Sequence, residues 1–304
     1  MMITFERLRK EYDGVAAVDD LSLEIPRGEV FGLLGPNGAG KTTTILMLVG
    51  LIQPTSGRCL VDGIDVALEP IAVKRRMGFM PDDVGFYENM TAEQNLAYFA
   101  AIYDLPRAVR AERIADVLER LDLGGLDKKV GGYSRGMVQR LGIAKILLND
   151  PDVLVLDEPT ANLDPLCVAE YREIVRSLRA EGRTVVVSSH ILSEVAKVCT
   201  SVAILARGRL VASGSVTDLP FRLAQTAGGM AIRVETRSPI PELDHPSILA
   251  AEYEANRCRA RFQVTDDVRD WLVDHLRNAG VTIRELAVEE PSLEEVFMRY
   301  YHAT

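Results

Sequence analysis

The sequence predicts an α/β fold whose larger part is built on a parallel sheet, followed by a smaller α+β unit. Three short and mainly apolar runs, 30–34, 153–156 and 184–187, have the length and character of strands buried on both faces of such a sheet. The first run leads through a glycine-rich turn into an apolar helical segment at 42–51. After residue 214 the pattern changes to alternating strands and a helix, which indicates a second unit.

Composition excludes several classes of protein. The chain has 304 residues, 47% of them hydrophobic and 26% charged, as in ordinary globular proteins. Its net charge of -9 argues against a nucleic-acid-binding surface. The N-terminal residues contain no apolar signal-peptide core, and the longest apolar run, 45–52, is too short to cross a bilayer. Four cysteines without paired spacing fit a reducing compartment, so we expect a soluble cytoplasmic chain.

The glycine-rich turn after the first strand is the strongest motif. Residues 35–42 read GPNGAGKT, a complete G-x-x-x-x-G-K-T pattern between a strand and a helix. Glycines let backbone N–H groups converge on phosphates, Lys41 supplies a cation for the β- and γ-phosphates, and the Thr42 hydroxyl can bind Mg²⁺. A ligand-free glycine turn is disfavoured by this context. The predicted ATP-binding residues of the loop are Gly35, Pro36, Asn37, Gly38, Ala39, Gly40, Lys41, Thr42 and Thr43.

Two further strands end in polar residues at positions where α/β sheets bind their ligands. The run 153–156 is followed by Asp157, predicted to bind Mg²⁺, and by Glu158, predicted to orient or deprotonate an attacking water. The run 184–187 leads to His190. A histidine at a strand end is usually structural, but after the Asp-Glu strand we predict a sensor of the γ-phosphate.

Together these motifs resemble the nucleotide-binding subunits of ABC transporters over residues 2–218. The segment YSRGM at 133–137 occupies the place of the LSGGQ signature, and 161–164 match the D-loop. The resemblance makes His190 the switch histidine and Tyr12 the aromatic that stacks on adenine. It implies a P-loop NTPase of the ABC ATPase type, with a RecA-like core and a helical subdomain at 97–132. The implied domains are an ATP-binding domain at 1–218 and an accessory α+β domain at 219–304.

The resemblance also explains why one chain carries two phosphate-binding segments. ABC subunits pair head to tail, so the signature of one copy closes over the ATP that the other copy's loop holds. This implies a homodimer in the ATP-bound state. Without the resemblance, the same segment would be a turn before a helix. The residues predicted to face the partner's ATP are Ser134, Arg135, Gly136 and Met137.

Two positions depart from the family pattern. Arg135 replaces the first glycine of the signature and adds a cation beside the shared phosphate. Asp82 stands where most members have a glutamine that touches Mg²⁺ and the attacking water. Aspartate is shorter and anionic, so we expect Asp82 to reach the metal through water. Nearby Phe86, Tyr87 and Met90 could receive a helix of a membrane partner or could belong to the helical-subdomain core.

Beyond the ATP-binding domain the sequence predicts a small α+β unit without a chemical motif. A linker at 225–229 precedes strands at 231–235, 259–264 and 281–288, with a helix at 266–278 that carries a core tryptophan, Trp271. A serine-capped helix is predicted in the closing segment, PSLEEVFMRYY. This ending resembles the tails of ABC-2-type export ATPases.

The predicted function is an ATPase with Mg²⁺ that drives a separate integral-membrane permease, of the export type, from the inner face of the cell membrane. The segments 80–100 and 291–301 also resemble the ATPase of nitrous-oxide reductase copper maturation. Drug or sodium export would give a similar sequence. The alternative is a non-transport ABC ATPase of DNA repair or ribosome work. Such proteins usually have fused cassettes or long coiled coils, which this sequence lacks.

Overall fold

A computed structural model describes residues 1–219 and 230–289. The chain divides into two compact units, Met1–Ser213 and Gly214–Thr304. The predicted domain boundary, between residues 218 and 219, stays a prediction. Helices are α1 (Lys41–Leu48), α2 (Pro70–Lys74), α3 (Ala92–Ile102), α4 (Arg107–Arg120), α5 (Arg135–Leu147), α6 (Pro165–Ala180), α7 (Leu192–Val195) and α8 (Arg269–Asn278). Strands are β1 (Ile3–Tyr12), β2 (Val15–Ile25), β3 (Val30–Leu34), β4 (Ser56–Val61), β5 (Ile64–Asp65), β6 (Met77–Met80), β7 (Val153–Leu156), β8 (Thr184–Ser189), β9 (Ser201–Ala206), β10 (Arg209–Ser215), β11 (Met230–Thr236), β12 (Ile248–Tyr253), β13 (Arg259–Val264) and β14 (Ile283–Glu289).

The predicted parallel sheet forms the centre of the first unit. Its strand order is β10-β9-β3-β8-β7-β6, and β6, β7, β8, β3 and β9 run parallel to their neighbours. Every residue of β3, β7 and β8 is buried, as their unbroken apolar character predicts. Each predicted strand of this sheet is therefore confirmed, with β8 running two residues further than its aliphatic part.

A second, antiparallel sheet lies in the same unit. Its order is β2-β1-β4-β5, and its apolar side chains share a core with α1 and with β3 of the central sheet. The sheet was not identified from the sequence. Charged residues on the outer face interrupt the apolar runs, and β1 pairs with β2 through several register shifts. Local patterns detect such irregular strands poorly.

The helical subdomain consists of separate helices rather than a continuous stretch at 97–132. Helix α3 begins earlier than predicted because Thr91 caps it, accepting the Gln94 N–H while the Gln94 side chain accepts the Thr91 N–H. After α4 the chain leaves the helical conformation, with positive φ at Asp122 and Gly125. Among residues 121–132 the only helical structure is a short 3₁₀ turn at Val130–Gly132. The assignment of 97–132 to a helical subdomain stays a prediction.

The second unit has its own sheet and core. The strand order is β12-β13-β11-β14, and the predicted pairing of 231–235 with 259–264 is observed as antiparallel β11 and β13. Phe262 and the α8 residues Leu272 and Leu276 are fully buried in this core. Strand β12 was not predicted.

One predicted boundary in this unit needs correction. Helix α8 starts at Arg269, three residues after the predicted start, because Asp267 accepts the Arg269 N–H and keeps the preceding residues in a turn. Trp271 is partly buried and packs against this core, between His245 and His275 with ring centroids 4.5 and 4.8 Å away. The predicted linker at 225–229 and the closing helix of 291–301 lie outside the described residues.

Within residues 1–219 and 230–289, no helix has the length and apolar character needed to cross a bilayer.

Candidate functional site

The strand order of the central sheet brings the predicted catalytic motifs together. Strand β8 lies between β3 and β7, so the loop after β3, the Asp-Glu pair after β7 and the histidine after β8 leave the same edge. The register pairs Leu156 with Val187, which places the next residues, Asp157 and Ser188, beside each other. A parallel sheet gathers ligand-binding groups at its carboxyl edge for this reason.

The phosphate loop is shaped by glycines that allow close backbone approach. Gly40, directly before α1, has φ 99°, and a Cβ there would lie 2.5 Å from the Ala17 carbonyl oxygen. A Cβ on Gly35 would lie 2.5 Å from the Leu205 carbonyl oxygen. Larger residues therefore cannot occupy these two positions without moving the backbone. The loop turns back on itself through a hydrogen bond from the Ala39 N–H to the Pro36 carbonyl.

Lys41 directs its ammonium group into this loop. Its Nζ donates to the carbonyl oxygens of Gly35, at 2.7 Å, and Pro36, at 3.2 Å. The same Nζ lies 3.3 Å from Oε1 of Glu158. The Lys41 side chain is only 6% exposed, so its charge is desolvated and depends on these oxygen partners. A terminal phosphate bound in the loop would meet a cation already positioned by the chain.

Asp157 is a buried carboxylate with hydroxyl partners. The Ser188 hydroxyl donates to Oδ1 of Asp157. Burial raises the pKa of Asp157, while hydrogen bonds from Ser188 and Thr42 act in the opposite direction. The Thr42 and Asp157 side chains are therefore neighbours, as their predicted roles require. An anionic oxygen and a hydroxyl oxygen are donors that suit a hard divalent cation.

Glu158 is held in a backbone conformation that side chains rarely adopt. Its φ is 47°, and its N–H donates to the Ser188 hydroxyl at 2.9 Å. The carboxylate is bound at both oxygens, since Oε2 lies 2.9 Å from Nδ1 of His190 and Oε1 faces Lys41. Because a carboxylate can only accept, His190 donates through Nδ1. Strain of this kind persists where the surrounding structure fixes it, often at functional sites.

Ser188 is the site residue that sequence reasoning missed. It is fully buried, accepts the Glu158 N–H and donates to the Asp157 carboxylate. One hydroxyl thus fixes both members of the Asp-Glu pair. The only local signal was a polar residue directly after three valines at the end of a predicted strand. Its partners lie 30 and 31 positions away, so no spacing rule could identify them.

The D-loop residues have a structural role in this chain. Asp164 caps α6 by accepting the N–H groups of Leu166 and Cys167, which lowers the pKa of its carboxyl. Asn162 has φ 58°, consistent with a tight turn before the helix. The Ala161 N–H donates to the Glu158 carbonyl at 3.1 Å, and among the described residues no side-chain hydrogen bond or ion pair joins 161–164 to Lys41, Glu158 or His190.

Tyr12, the predicted adenine-stacking residue, ends β1 and is 47% exposed. One face of its ring has Lys10 Nζ 5.0 Å from the centroid. An exposed aromatic beside a cation can stack on an electron-poor purine, and the position is compatible with the predicted role.

The signature segment forms the start of α5. Ser134 is its N-cap and accepts the Met137 N–H at 3.3 Å. The Met137 N–H is therefore used within its own helix. Gly136 is buried against α6, where an added Cβ would lie 2.4 Å from Sγ of Cys167. Glycine at this position lets the N-termini of two helices approach closely.

The two departures from the family pattern are neighbours in space. Arg135, the first residue of α5, has Nη2 3.7 Å from Oδ1 of Asp82. Both side chains are substantially exposed, at 47% and 59%. In the described part of the chain, no hydrogen bond or ion pair joins 134–137 to the phosphate loop, Glu158 or His190. The structure thus brings together the predicted residues of the phosphate-loop site and leaves the signature residues apart.

Comparison with protein families gives a match for each part of the chain. Residues 18–161 match the family model described as ABC transporter. Residues 223–301 match a second model, described as the C-terminal domain of DrrA1-3-like ATP-binding proteins.

Two curated relatives align with this chain over most of their own length. The ABC transporter ATP-binding protein NatA of Bacillus subtilis is 41% identical over 67% of this chain and 84% of the relative. The daunorubicin resistance ATP-binding protein DrrA3 of Streptomyces coeruleorubidus is 35% identical over 97% of this chain and 94% of the relative.

One solved structure bears on the arrangement of copies. The dimeric structure of MJ0796, a bacterial ABC transporter cassette, aligns with a TM-score of 0.64 and 25% identity. The alignment covers 71% of this chain and 99% of that cassette.

Proposed function

We propose that this chain, which belongs to the ATP-binding subunits of ABC transporters of the DrrA-like export type, pairs head to tail with a second copy to drive a separate membrane permease. As a member of this family it is an ATP-binding, ATP-hydrolysing transporter subunit. The relatives reported above do not favour a DNA-repair or ribosome-associated ATPase. The more specific copper-maturation role stays a prediction.

The observation that supports the catalytic part is the position of the Glu158 carboxylate. It is held at one oxygen by Lys41, the phosphate-loop cation, and at the other by His190. A base fixed beside the terminal phosphate is well placed to accept a proton from an attacking water. Its two partners orient the carboxylate. Glu158 therefore acts as the general base, and His190 positions it.

The side chains of Thr42 and Asp157 fit a magnesium ion. The observation is a buried carboxylate next to a hydroxyl, at the carboxyl edge of the sheet and beside the phosphate loop. Bound Mg²⁺ supplies charge neutralisation on the β- and γ-phosphates. Thr42 and Asp157 would hold it, and Ser188 keeps the Asp157 oxygens oriented through its hydroxyl.

The signature residues complete the second half of each ATP site from the partner copy. Ser134 caps α5, and the backbone N–H groups at the start of a helix attract anions. The dimeric form of the similar cassette MJ0796 supports pairing of two copies. In the proposed pair, Ser134 and the backbone at Gly136 would face the γ-phosphate bound to the other copy's Lys41. Two ATP molecules would then be enclosed between two chains.

The permease partner would bind the helical subdomain from the membrane side. Phe86 makes an edge-to-face contact with Phe99, and Tyr87 makes a similar contact with Tyr98. Phe86 is partly buried in this cluster, whereas Tyr87 remains 44% exposed. Both earlier interpretations of the cluster therefore retain support, with Phe86 as subdomain core and Tyr87 as an accessible contact. Such docking would hold the chain peripherally on the inner face of the cell membrane.

Dependence of hydrolysis on chain concentration tests the paired mechanism. If each ATP needs a signature from another copy, specific ATPase activity should rise with protein concentration and then level off. Light scattering of the Glu158→Gln variant should show a monomer without nucleotide and a dimer with ATP. Specific activity that stays constant from nanomolar concentrations upward, with no dimer in ATP, would overturn the head-to-tail proposal while leaving the family assignment intact.

A further inference from the structure

The ion pair between Asp82 and Arg135 joins a residue expected at the chain's own ATP site to the first residue of its signature helix. Asp82 follows β6 at the position expected to serve the chain's own nucleotide, and Arg135 begins the signature helix that faces the partner's nucleotide. Each is a departure from the family pattern, and the structure places their charged atoms 3.7 Å apart.

Arg135 occupies an electrostatically unfavourable position. Backbone N–H groups give the start of a helix a partial positive charge, which disfavours a cation there. The first turn of α5 contains no acidic residue to offset it. Within residues 1–219 the ion pair that Arg135 makes is the one with Asp82. The helix N-terminus and the guanidinium together form an anion-attracting end, and the Asp82 carboxylate is the anion that the chain itself supplies.

Close packing sets the position of this carboxylate. A Cβ on Gly142, in the middle of α5, would lie 2.7 Å from Sδ of Met80 and 3.2 Å from Cγ2 of Val84. A Cβ on Gly78 of β6 would lie 2.8 Å from Cβ of Ile146. Two glycines thus let α5 approach β6 and the loop after it more closely than any other residues would allow. The residues on either side of Asp82, Met80 and Val84, are therefore packed against α5.

We propose that Asp82 determines the specificity of the composite ATP site by acting as the counter-ion of Arg135. This inference rests on the head-to-tail pairing proposed above. An anion that binds Arg135 must lie near the Asp82 carboxylate, and like charges at such distances repel each other. Small anions from solution therefore compete poorly with Asp82. A triphosphate fixed by the loop of a second copy has several negative charges and a preset position, so it can displace the carboxylate.

This competition determines whether replacing Asp82 strengthens or weakens the ATP-driven pairing of two chains. Neutralising Asp82 should make Arg135 more available, so ATP should pair the chains at lower concentration and inorganic phosphate should interfere more. An exposed ion pair supports an effect of about two- to fivefold. A water-mediated metal contact of Asp82 predicts the opposite, because its loss would weaken the binding of nucleotide with Mg²⁺ whether or not Arg135 is present.

The experiment measures the ATP concentration that half-dimerises the Glu158→Gln chain, by light scattering, with and without Mg²⁺. Asp82→Asn, Arg135→Gln and both together are introduced into this parent. Asp83→Asn is the matched control, since it removes the same charge from the next exposed residue. Asp82→Asn should lower the half-dimerising ATP concentration about two- to fivefold. Asp83→Asn should leave it unchanged, and Asp82→Asn should have no effect in the Arg135→Gln chain.

A phosphate titration adds a second measurement on the same variants. Inorganic phosphate should suppress ATP-driven pairing of Asp82→Asn at lower concentration than that of the parent or of Asp83→Asn. Weaker pairing of Asp82→Asn, or an Asp82→Asn effect that persists without Arg135, would overturn the inference and favour a role in the chain's own metal site. Failure of the Glu158→Gln parent to pair in ATP would instead overturn the composite site itself, and the inference with it.

Discussion

The phosphate loop and the signature segment contain similar parts, yet the chain completes one and leaves the other open. Each has a cation near the start of a helix, Lys41 at α1 and Arg135 at α5. Lys41 is 6% exposed and is held by two carbonyls and Glu158, whereas Arg135 is 47% exposed and faces one exposed carboxylate. The first site is preorganised within one chain. The signature site attracts an anion, and within one chain the anion beside it is the Asp82 carboxylate.

This difference follows from where the two segments lie in the fold. The phosphate loop leaves the carboxyl edge of a buried parallel sheet, where neighbouring strands deliver Asp157, Glu158 and His190. The signature begins a helix of the helical subdomain, and its buried contacts, such as Gly136 against Cys167, position the backbone only. A site at a sheet edge can be finished by adjacent strands. A site at a free helix start needs a partner.

The largest effect is expected when the general base, Glu158, is removed from the phosphate-loop site. Glu158→Gln keeps the size and one accepting oxygen of the side chain, but it cannot take a proton from water. We expect steady-state hydrolysis to fall by roughly 10² to 10⁴, the usual contribution of a general base, with ATP binding retained. Turnover and equilibrium ATP binding on the same preparation measure this. Hydrolysis within a few-fold of the parent would remove Glu158 from the catalytic role and make its strained backbone unexplained.

The second prediction distinguishes the role of the phosphate loop, which contains Lys41, from that of the signature segment, which contains Arg135. Lys41→Ala removes a charged donor from the phosphate loop, which at about 1.5–3 kcal/mol should weaken ATP binding roughly 10- to 100-fold. Ser134→Gly removes the signature hydroxyl but keeps an acceptable N-cap, which costs only a few tenths of a kcal/mol. We expect Ser134→Gly to bind ATP normally as a monomer and to lose hydrolysis. Weakened monomer binding in Ser134→Gly would show that both segments serve one chain's nucleotide.

The third prediction concerns the hydroxyl that fixes the Asp-Glu pair. Ser188→Ala removes a hydrogen bond to the Asp157 carboxylate and the acceptor of the Glu158 N–H. Because a hydrogen bond to a charged group contributes about 1.5–3 kcal/mol, we expect a loss of hydrolysis of roughly tenfold or more. The Mg²⁺ concentration that half-saturates activity should also rise. Ser189→Ala is the matched control, since the Ser189 hydroxyl accepts the Ile191 N–H instead.

A result for Ser188→Ala that matches Ser189→Ala in both turnover and Mg²⁺ dependence would contradict this role. Thermal unfolding of the two variants distinguishes a loss of positioning from a general loss of stability. We expect the Ser188→Ala midpoint to be the lower of the two, because this variant loses two hydrogen bonds and Ser189→Ala loses one, but both chains should be folded at the assay temperature.

The smallest effect is expected from removing most of the second unit, which tests whether that unit contributes to ATP binding. Every residue predicted to bind ATP or Mg²⁺ precedes residue 214. Ending the chain at residue 227 leaves all of these residues in place, so it should change ATP affinity by less than about threefold. Calorimetric titration of a folded truncated chain measures this. A loss of more than about tenfold, equal to 1.4 kcal/mol, would show that the second unit shapes the nucleotide site.

The sequence by itself determined the parts whose chemistry depends on contiguous residues. The glycine-lysine-threonine loop between strand and helix, the Asp-Glu pair after a buried strand and the later histidine could be identified from order and spacing alone. The central strands were equally accessible because burial on both faces leaves an unbroken apolar run. The charged strand β1, the mostly exposed strand β12 and the breaks between the helices of the subdomain left weaker local signals.

Only the tertiary structure decided which of these groups meet. Lys41, Glu158 and His190 form one network because β8 lies between β3 and β7, an order that no local pattern encodes. The same order gives Ser188 its role, through a register one residue beyond Leu156 and Val187. The pair of Asp82 and Arg135 exists because glycines let α5 pack closely against β6. Periodicity reports the environment of each segment, whereas these contacts depend on long-range packing between segments distant in the chain.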